Sequence, residues 1–430
     1  MQIVSQLLFV VALAAAIYVF SRRVMGIRRN ILLGRDVALN DQPALRWKNL
    51  LLLAFGQKKM FRNPLVAVLH FFVYAGFLII NLEILEIIID GVAGTHRIFA
   101  PFMGVVYGVL IGCFEILALL VAGGCLVFLL RRNVMKIRRF LSKDLNGWPR
   151  SDANYILITE IALMVLFLTM NTADQVLQSR GAAHYIQTDP FWISSHFTPL
   201  LAGLSDNALI AVERGAWWLH ILGVLAFLNY LPFSKHLHII LAFPNAYYAD
   251  LRPKGKMENM PAIQQEVLYA MQPELAASAP ASDTVPKFGA KDIQDLTWKN
   301  LLDAYACTEC GRCSAACPAT QTGKALSPRL IMMKTRDRAE EVGRNKEADN
   351  KTLLRDYITE EELRACTSCN ACVEECPVSI NPLHIILQMR RHLVMEESSA
   401  PQEWNMMFSN IENNMAPWKF SPDDRDAWIH

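Results

Sequence analysis

A charge excess of one sign is missing from this sequence. Its 42 Lys and Arg nearly cancel 40 Asp and Glu over 430 residues; this balance hides a segregated pattern and so says nothing useful about nucleic acid, and no nucleic-acid partner is expected. No glycine-rich phosphate loop is evident, and nothing suggests that the chain binds NAD. No basic residue precedes the first apolar run, MQIVSQLLFVVALAAAIYVF, whereas SRRVMGIRR follows it directly. That order argues against a cleaved signal peptide and suits a retained anchor with its N-terminus outside. Cysteine is nearly absent outside two short loops. Of ten cysteines, only Cys113 and Cys125 lie elsewhere, both in an apolar run that suits small buried side chains. Eight thiols clustered at metal spacing exclude a secreted disulfide scaffold and indicate a reducing compartment.

What the sequence does have is unevenly distributed. Apolar residues make up 53% of the chain, and their long runs end near residue 243. Five stretches, near 2–20, 64–90, 101–130, 153–173 and 208–231, are long enough to cross ~30 Å of hydrocarbon, which takes about 20 helical residues. Residues 21–62 contain ten Lys or Arg, and RRNVMKIRRFLSK after the third stretch is again basic, whereas connectors 91–100 and 174–207 carry only Arg97 and Arg180. The positive-inside rule then predicts a multi-pass protein of the cytoplasmic membrane with its C-terminal half in the cytoplasm.

Histidine within a bilayer requires a partner. His70 lies near the cytoplasmic start of the second stretch. His220 and His238 lie on the fifth and its extension, with Pro232 between them. Their 18-residue separation is five helical turns, or ~27 Å along one face. A b-type haem needs two axial imidazoles from facing helices. His70 with His238 is the expected pair, and His220 is a candidate for a second haem without an evident opposing histidine. The alternative for each is a histidine hydrogen-bonded inside the bundle. His236 points off that face and is read as interfacial; His96, His184 and His196 are read as solvated loop residues. Glu83, Glu86 and Asp90 share one face of the second stretch, where they could pass protons to or from a quinone or pair with one another near the interface. Glu115 and Glu160 are weaker cases of the same kind.

Beyond the membrane stretches, PELAASAPASDTVPKFG (about 273–289) reads as a flexible connector, followed by an expected helix, KDIQDLTWKNLLDAYA. Then come CTECGRCSAACP at 307–318 and CTSCNACVEECP at 366–377. Both have the form C-x2-C-x2-C-x3-C-P, in which three thiolates grip one [4Fe–4S] cube and the fourth ligates the other cluster. Cys307, Cys310, Cys313 and Cys376 are thus expected on one cluster, and Cys366, Cys369, Cys372 and Cys317 on the second. Zinc is the competing metal, but its sites use pairs of ligands rather than a run of four. Between the loops, Ser327 with Pro328 and Thr359 with Glu362 mark helix starts. The cluster domain is expected to be helical, with His384 and His392 as surface or packing residues.

The membrane half resembles the haem-bearing gamma subunit of respiratory nitrate reductases, which has five spans and two histidines 18 residues apart on the last. His220 and His238 match that pair, and His70 matches the inner histidine of the second span. The family's outer histidine on that span corresponds to Ile80 here. The second half, through CTECGRCSAACPATQTGKALSPRLI and NNMAPWKFSPDDRDAW, resembles the helical cluster subunit of heterodisulfide reductases and related membrane iron–sulfur oxidoreductases.

Together these patterns imply an all-α protein: a five-helix transmembrane cytochrome b-like bundle (1–243), a cytoplasmic linker (244–289) and a helical two-[4Fe–4S] ferredoxin-like domain (290–430). The resemblance implies a membrane electron-transfer subunit with two clusters, one or two haems b, and menaquinone as substrate. It also implies a cytoplasmic partner, either electron-transfer flavoprotein or a separate subunit with the cysteine-rich CCG domain, since no cysteine follows Cys376. A thiol–disulfide oxidoreductase subunit is the alternative within that class, and a non-catalytic membrane redox sensor or scaffold is the alternative outside it.

Overall fold

The computed structural model describes residues 2–135, 137–277, 287–345 and 349–429. They form an all-α protein; the only β pairings among them are two isolated bridges, Arg35 with Thr297 and Leu354 with Ile358. Five helices are long and apolar enough to cross a membrane. They lie in α1 (Gln2–Ile31), α3 (Pro64–Ala93), α4 (Val105–Asn133), α5 (Trp148–Ser179) and α6 (Asp206–Tyr230), with a short α2 (Pro43–Leu50) between the first two. Each expected stretch falls almost wholly within its helix, but every helix except the last runs further. Hydrophobicity marks the part that meets lipid, whereas caps set the true ends. α3 starts where the Asn63 side chain accepts from the Val66 N–H, with Pro64 in the first turn, and stops at left-handed Gly94. α4 begins only after Gly104, whose φ of 55° interrupts the expected start at 101.

The core of the bundle is made by Phe9, Ile80, Ile87, Phe114, Val121, Phe167 and Ile221 from all five long helices. Many side chains on the opposite faces, such as Leu7, Val11, Leu82, Leu119 and Leu219, are exposed. That pattern is expected of helices whose outward face meets hydrocarbon rather than water.

The C-terminal half is a compact set of helices: α9 (Trp298–Ala306), α10 (Arg312–Ala316), α11 (Pro328–Arg344), α12 (Ala371–Glu375) and α13 (Pro382–Arg391), preceded by α7 (His238–Tyr247) and α8 (Pro261–Met271) and followed by α14 (Gln402–Asn414). The capping box of Thr359 and Glu362 forms. Ser327 occupies the N-cap of α11, but its hydroxyl bonds Asp144 and Ser314 instead of the helix. The helix expected over 291–306 begins only at Trp298, because Thr297 caps it with Asn300. Part of the expected connector, 278–286, lies outside the described residues.

Sequence composition divides the chain in two, but the packing does not. α1 continues past its apolar run, so SRRVMGIRR is helical rather than a loop. Its end docks on α9 and α11: Arg23 pairs with Glu340 at 2.9 Å, Asn30 donates to the Tyr305 hydroxyl at 2.9 Å, and Ile27 joins the core of the C-terminal half. The turn before α3 contributes Lys59, which donates to the carbonyls of Glu374 and Cys376 at 3.1 and 2.9 Å. The segment after α4 contributes Asp144, which meets Ser327 and Arg329. α7 contributes Asn245, buried against the Val378 carbonyl at 2.8 Å. Hence 244–250, expected as linker, is partly helix packed on the cluster domain.

Candidate cofactor site at the junction of the two halves

Both cysteine loops have the same local shape. Each has a left-handed residue, Gly311 at φ 73° or Asn370 at φ 61°, that starts a single helical turn. The fourth cysteine then leaves that turn in extended backbone. The turns α10 and α12 pack on one another, and this brings thiols from the two loops together. Cys307, Cys310 and Cys313 line one cavity with Cys376 of the other loop, and Cys372 forms part of its wall. On the other side, Cys372 has Cys366, Cys369 and Cys317 as thiol neighbours. Burial, reinforced by neighbouring thiols, pushes Cys307 and Cys372 up to about 12 and Cys376 to about 11. Among the described residues no three His, Cys, Asp or Glu side chains converge on a point where one ion would sit. A single zinc would need that convergence, whereas a cube is held by thiols spread around it. The residues therefore fit a [4Fe–4S] pair with crossed fourth ligands.

A second, largely apolar cavity of about 260 Å3 lies directly beside the first. His70, His236 and His238 all face it, with Leu53, Val73, Phe77 and Phe243 among its apolar walls. His70 places Nδ1 2.9 Å from Gln57 Oε1, and His238 places Nδ1 2.9 Å from the Lys235 carbonyl. In both, the outer nitrogen Nε2 is left without a partner among the described residues, the arrangement found in metal-ligating histidines. Burial, with the neighbouring His238 and His70 imidazoles adding to it, lowers His236 to about 3, and burial lowers His238 as well. Burial thus favours the neutral imidazole of His238, the form that iron ligation requires. Arg139 and Arg312 stand at one side of the cavity. The buried Nε of Arg139 has no hydrogen-bond partner among the described residues, and a haem carries two propionates for which such a guanidinium is suited. The donor set therefore fits one b-type haem.

The route by which these histidines meet differs from the expected one. α6 ends at Tyr230, Ser234 is extended at φ −110° and ψ 157°, and two short 3-10 turns precede α7. Five turns along one face require one continuous helix, which Pro232 and Ser234 break. Asp152 fixes the break by accepting from the Tyr230 hydroxyl, the Ser234 hydroxyl at 2.7 Å and the Lys235 N–H at 2.9 Å. His236, expected at the interface, turns into the cavity because of it. His220 meets no second imidazole: its cavity, about 70 Å3, is lined by Ile80, Val121, Leu163 and Phe227.

At the far end of the bundle His184 and His196 are exposed, as expected of loop residues, whereas His96 is not. His96 is 8% exposed and its Nε2 lies 3.2 Å from Asp174; its ring also packs near His184 and Tyr185. Arg97, a connector residue, is buried on Asp174, Tyr107 and Asn171. Composition identified a connector but could not reveal that it folds back between α3, α4 and α5. Glu86 and Asp90 are not paired with one another; each accepts from other groups.

Fold and site thus define a helical protein with five candidate membrane spans and a C-terminal two-cluster iron–sulfur domain. Residues 303–380 match the 4Fe-4S dicluster domain family. The chain is similar to the probable iron-sulfur-binding oxidoreductase FadF of Bacillus subtilis, 28% identical over 99% of this chain and 61% of that protein. It is also similar to the EtfAB:quinone oxidoreductase of Syntrophomonas wolfei, 27% identical over 92% of this chain and 55% of that one. One component of a ferredoxin/F(420)H(2)-dependent CoB-CoM heterodisulfide reductase from Methanosarcina acetivorans is 33% identical over 26% of this chain and 60% of its own length. The chain therefore spans less than two thirds of the first two relatives. No solved structure matches it.

Proposed function

We propose that this chain is the membrane electron-transfer part of a quinone-linked iron–sulfur oxidoreductase, working between a cytoplasmic redox partner and menaquinone. The observation that carries this reading is a shared wall. Thr308, Cys310, Arg312, Pro377 and Val378 line the thiol cavity on one side and the three-histidine cavity on the other. Bound in these places, two [4Fe–4S] clusters and one haem b supply carriers of single electrons.

The protein's own residues set positions and charges. Cys307, Cys310, Cys313 and Cys376 are the proposed ligands of the first cluster, and Cys366, Cys369, Cys372 and Cys317 of the second. His70 and His238 are the proposed axial pair, oriented by Gln57 and the Lys235 carbonyl. Arg139 would offer a propionate its guanidinium. Cys369 is exposed, which supports entry of electrons at the second cluster from a docked partner. The basic residues Arg23, Lys59 and Arg139 lie at the cluster end of the bundle, which supports a cytoplasmic cluster domain and an N-terminus outside. The printed name of the Syntrophomonas relative favours electron-transfer flavoprotein as the partner. The heterodisulfide reductase relatives favour a thiol–disulfide partner or a separate CCG-domain subunit as the second version.

The test is haem and non-haem iron per chain, followed by reduction of a menaquinone analogue. One haem and about eight other irons are expected, with His70→Ala and His238→Ala each losing the haem and the quinone reaction while keeping the irons. Iron without haem, or unchanged quinone reduction in both variants, would overturn the reading and favour a membrane redox sensor.

A further inference from the structure

At the end of the bundle away from the cluster domain, five carboxylates face one small cavity. Glu83, Glu86 and Asp90 come from α3, Asp174 from α5 and Glu213 from α6, together with His96, Arg97 and Arg214. The cavity is about 30 Å3, room for one water and too small for an organic ligand.

Most of these groups have fixed work. Asp90 accepts from the Thr95 hydroxyl and the N–H groups of Arg97 and Ile98. Glu86 accepts from the Tyr107 hydroxyl at 2.7 Å and the Phe99 N–H at 2.9 Å. Asp174 faces Arg97 and His96. Glu213 pairs with Arg214 and accepts from the Tyr185 hydroxyl at 3.0 Å. From α4, Tyr107 also accepts from Arg97 at 3.0 Å, and Glu115 accepts from Asn171 at 3.0 Å.

Glu83 differs from the rest: Asp174 Oδ1 also makes no hydrogen bond, but it has His96 Nε2 3.2 Å away. Glu83 is 3% exposed, and its buried Oε2 has no hydrogen-bond partner among the described residues. A carboxylate kept at that depth without a fixed partner is costly, and the five carboxylates lining the cavity share it with two guanidiniums and one imidazole. The group has room to exchange a proton with a cavity water. On α3 it sits between Ile80 and Ile84, which line the neighbouring cavity of His220, and Ile87, which lines the polar one.

We propose that Glu83 is the inner end of a proton path that opens on the far face of the bundle, continuing through the cavity water to Asp174 and His96. The proposal deepens the quinone reading and rests on it. Reduction of a quinone takes two electrons, delivered through this chain, and two protons, which form two O–H bonds. Both protons leave the Glu83 carboxyl in turn, and the carboxylate regains each from the far side through the water.

The experiment uses the full, cofactor-loaded chain in phosphatidylcholine vesicles with a menaquinone analogue, comparing wild type, Glu83→Gln and Glu83→Asp. Redox-difference infrared spectra in H2O and D2O are recorded beside the rate. Iron and haem content report folding. In wild type we expect a deuterium-sensitive carboxylic C=O signal, lost in Glu83→Gln and kept, displaced, in Glu83→Asp. Quinone reduction should fall roughly tenfold or more in Glu83→Gln and recover partly in Glu83→Asp. A Glu83→Gln protein with the wild-type rate and signal overturns the proposal. If wild type reduces no quinone, the functional reading fails. The Glu83 assignment is then decided by a pH titration of the same signal: lost in Glu83→Gln it stands, and unchanged it falls.

Discussion

Cys376 and Cys372 are four residues apart, yet they face different sets of thiols. Cys376 turns to Cys307, Cys310 and Cys313, while Cys372 neighbours Cys366, Cys369 and Cys317 and is also part of the first cavity's wall. If ligation is crossed in this way, Cys376→Ser and Cys310→Ser should perturb the same paramagnetic signal, although they lie in different loops. Cys317→Ser should perturb the other signal, with Cys366→Ser. Each variant is expected to lose about four of eight irons, measured by iron analysis and electron paramagnetic resonance. Arg139 makes a second residue-scale prediction. Arg139→Gln removes a buried cation beside the proposed haem, so the midpoint potential should fall by on the order of 50 mV, close to the ~59 mV of a tenfold one-electron change. Redox titration of the haem band checks it. At this scale the cysteines were readable because ligand spacing is local. His236 and Arg139 were not, since nothing local to either tells which way a broken chain turns.

The break between α6 and α7 is the element that decides the site. Pro232 lacks an N–H, Ser234 is extended, and Asp152 on α5 holds the turn with three hydrogen bonds. His238 was found from an 18-residue interval that presumes an unbroken helix. The residue is in the cavity, but the helix is not continuous, and the interval alone could not distinguish these cases. The same assumption misplaced His236. Asp152→Ala should therefore act at a distance: hydrogen bonds to a charged group are worth about 1.5–3 kcal/mol each, and their loss frees the turn that carries both histidines. Reduced haem occupancy with unchanged cluster iron is the expected outcome, read from the haem-to-iron ratio.

Over the whole molecule, the two compositional halves share a core. α1 reaches from the far end of the bundle to the cluster domain, where Glu340 accepts from Arg23 at 2.9 Å and from the Tyr305 hydroxyl at 2.8 Å. Gly343 is placed so that a Cβ would fall 2.0 Å from the Asn30 side chain, so a larger residue would have to displace Asn30 from its hydrogen bond to Tyr305. Glu340→Ala should cost about 1–3 kcal/mol at this contact and appear as faster hydrogen exchange near residues 23–31. Gly343→Ala should loosen the same segment more. Hydropathy located the five spans because twenty apolar residues leave a strong trace. It could not show that the basic stretch after the first span is helix, since its arginines read equally well as a loop facing a membrane surface.

The wall made by Thr308, Cys310, Arg312, Pro377 and Val378 has a consequence for how such a chain can change over generations. A substitution in it that tunes the iron–sulfur side also reshapes the histidine side. The two halves therefore cannot be inherited as interchangeable parts. A cluster domain transplanted from a relative would fit this bundle only if its wall residues, and the Lys59 and Arg139 that lean on it, came along together.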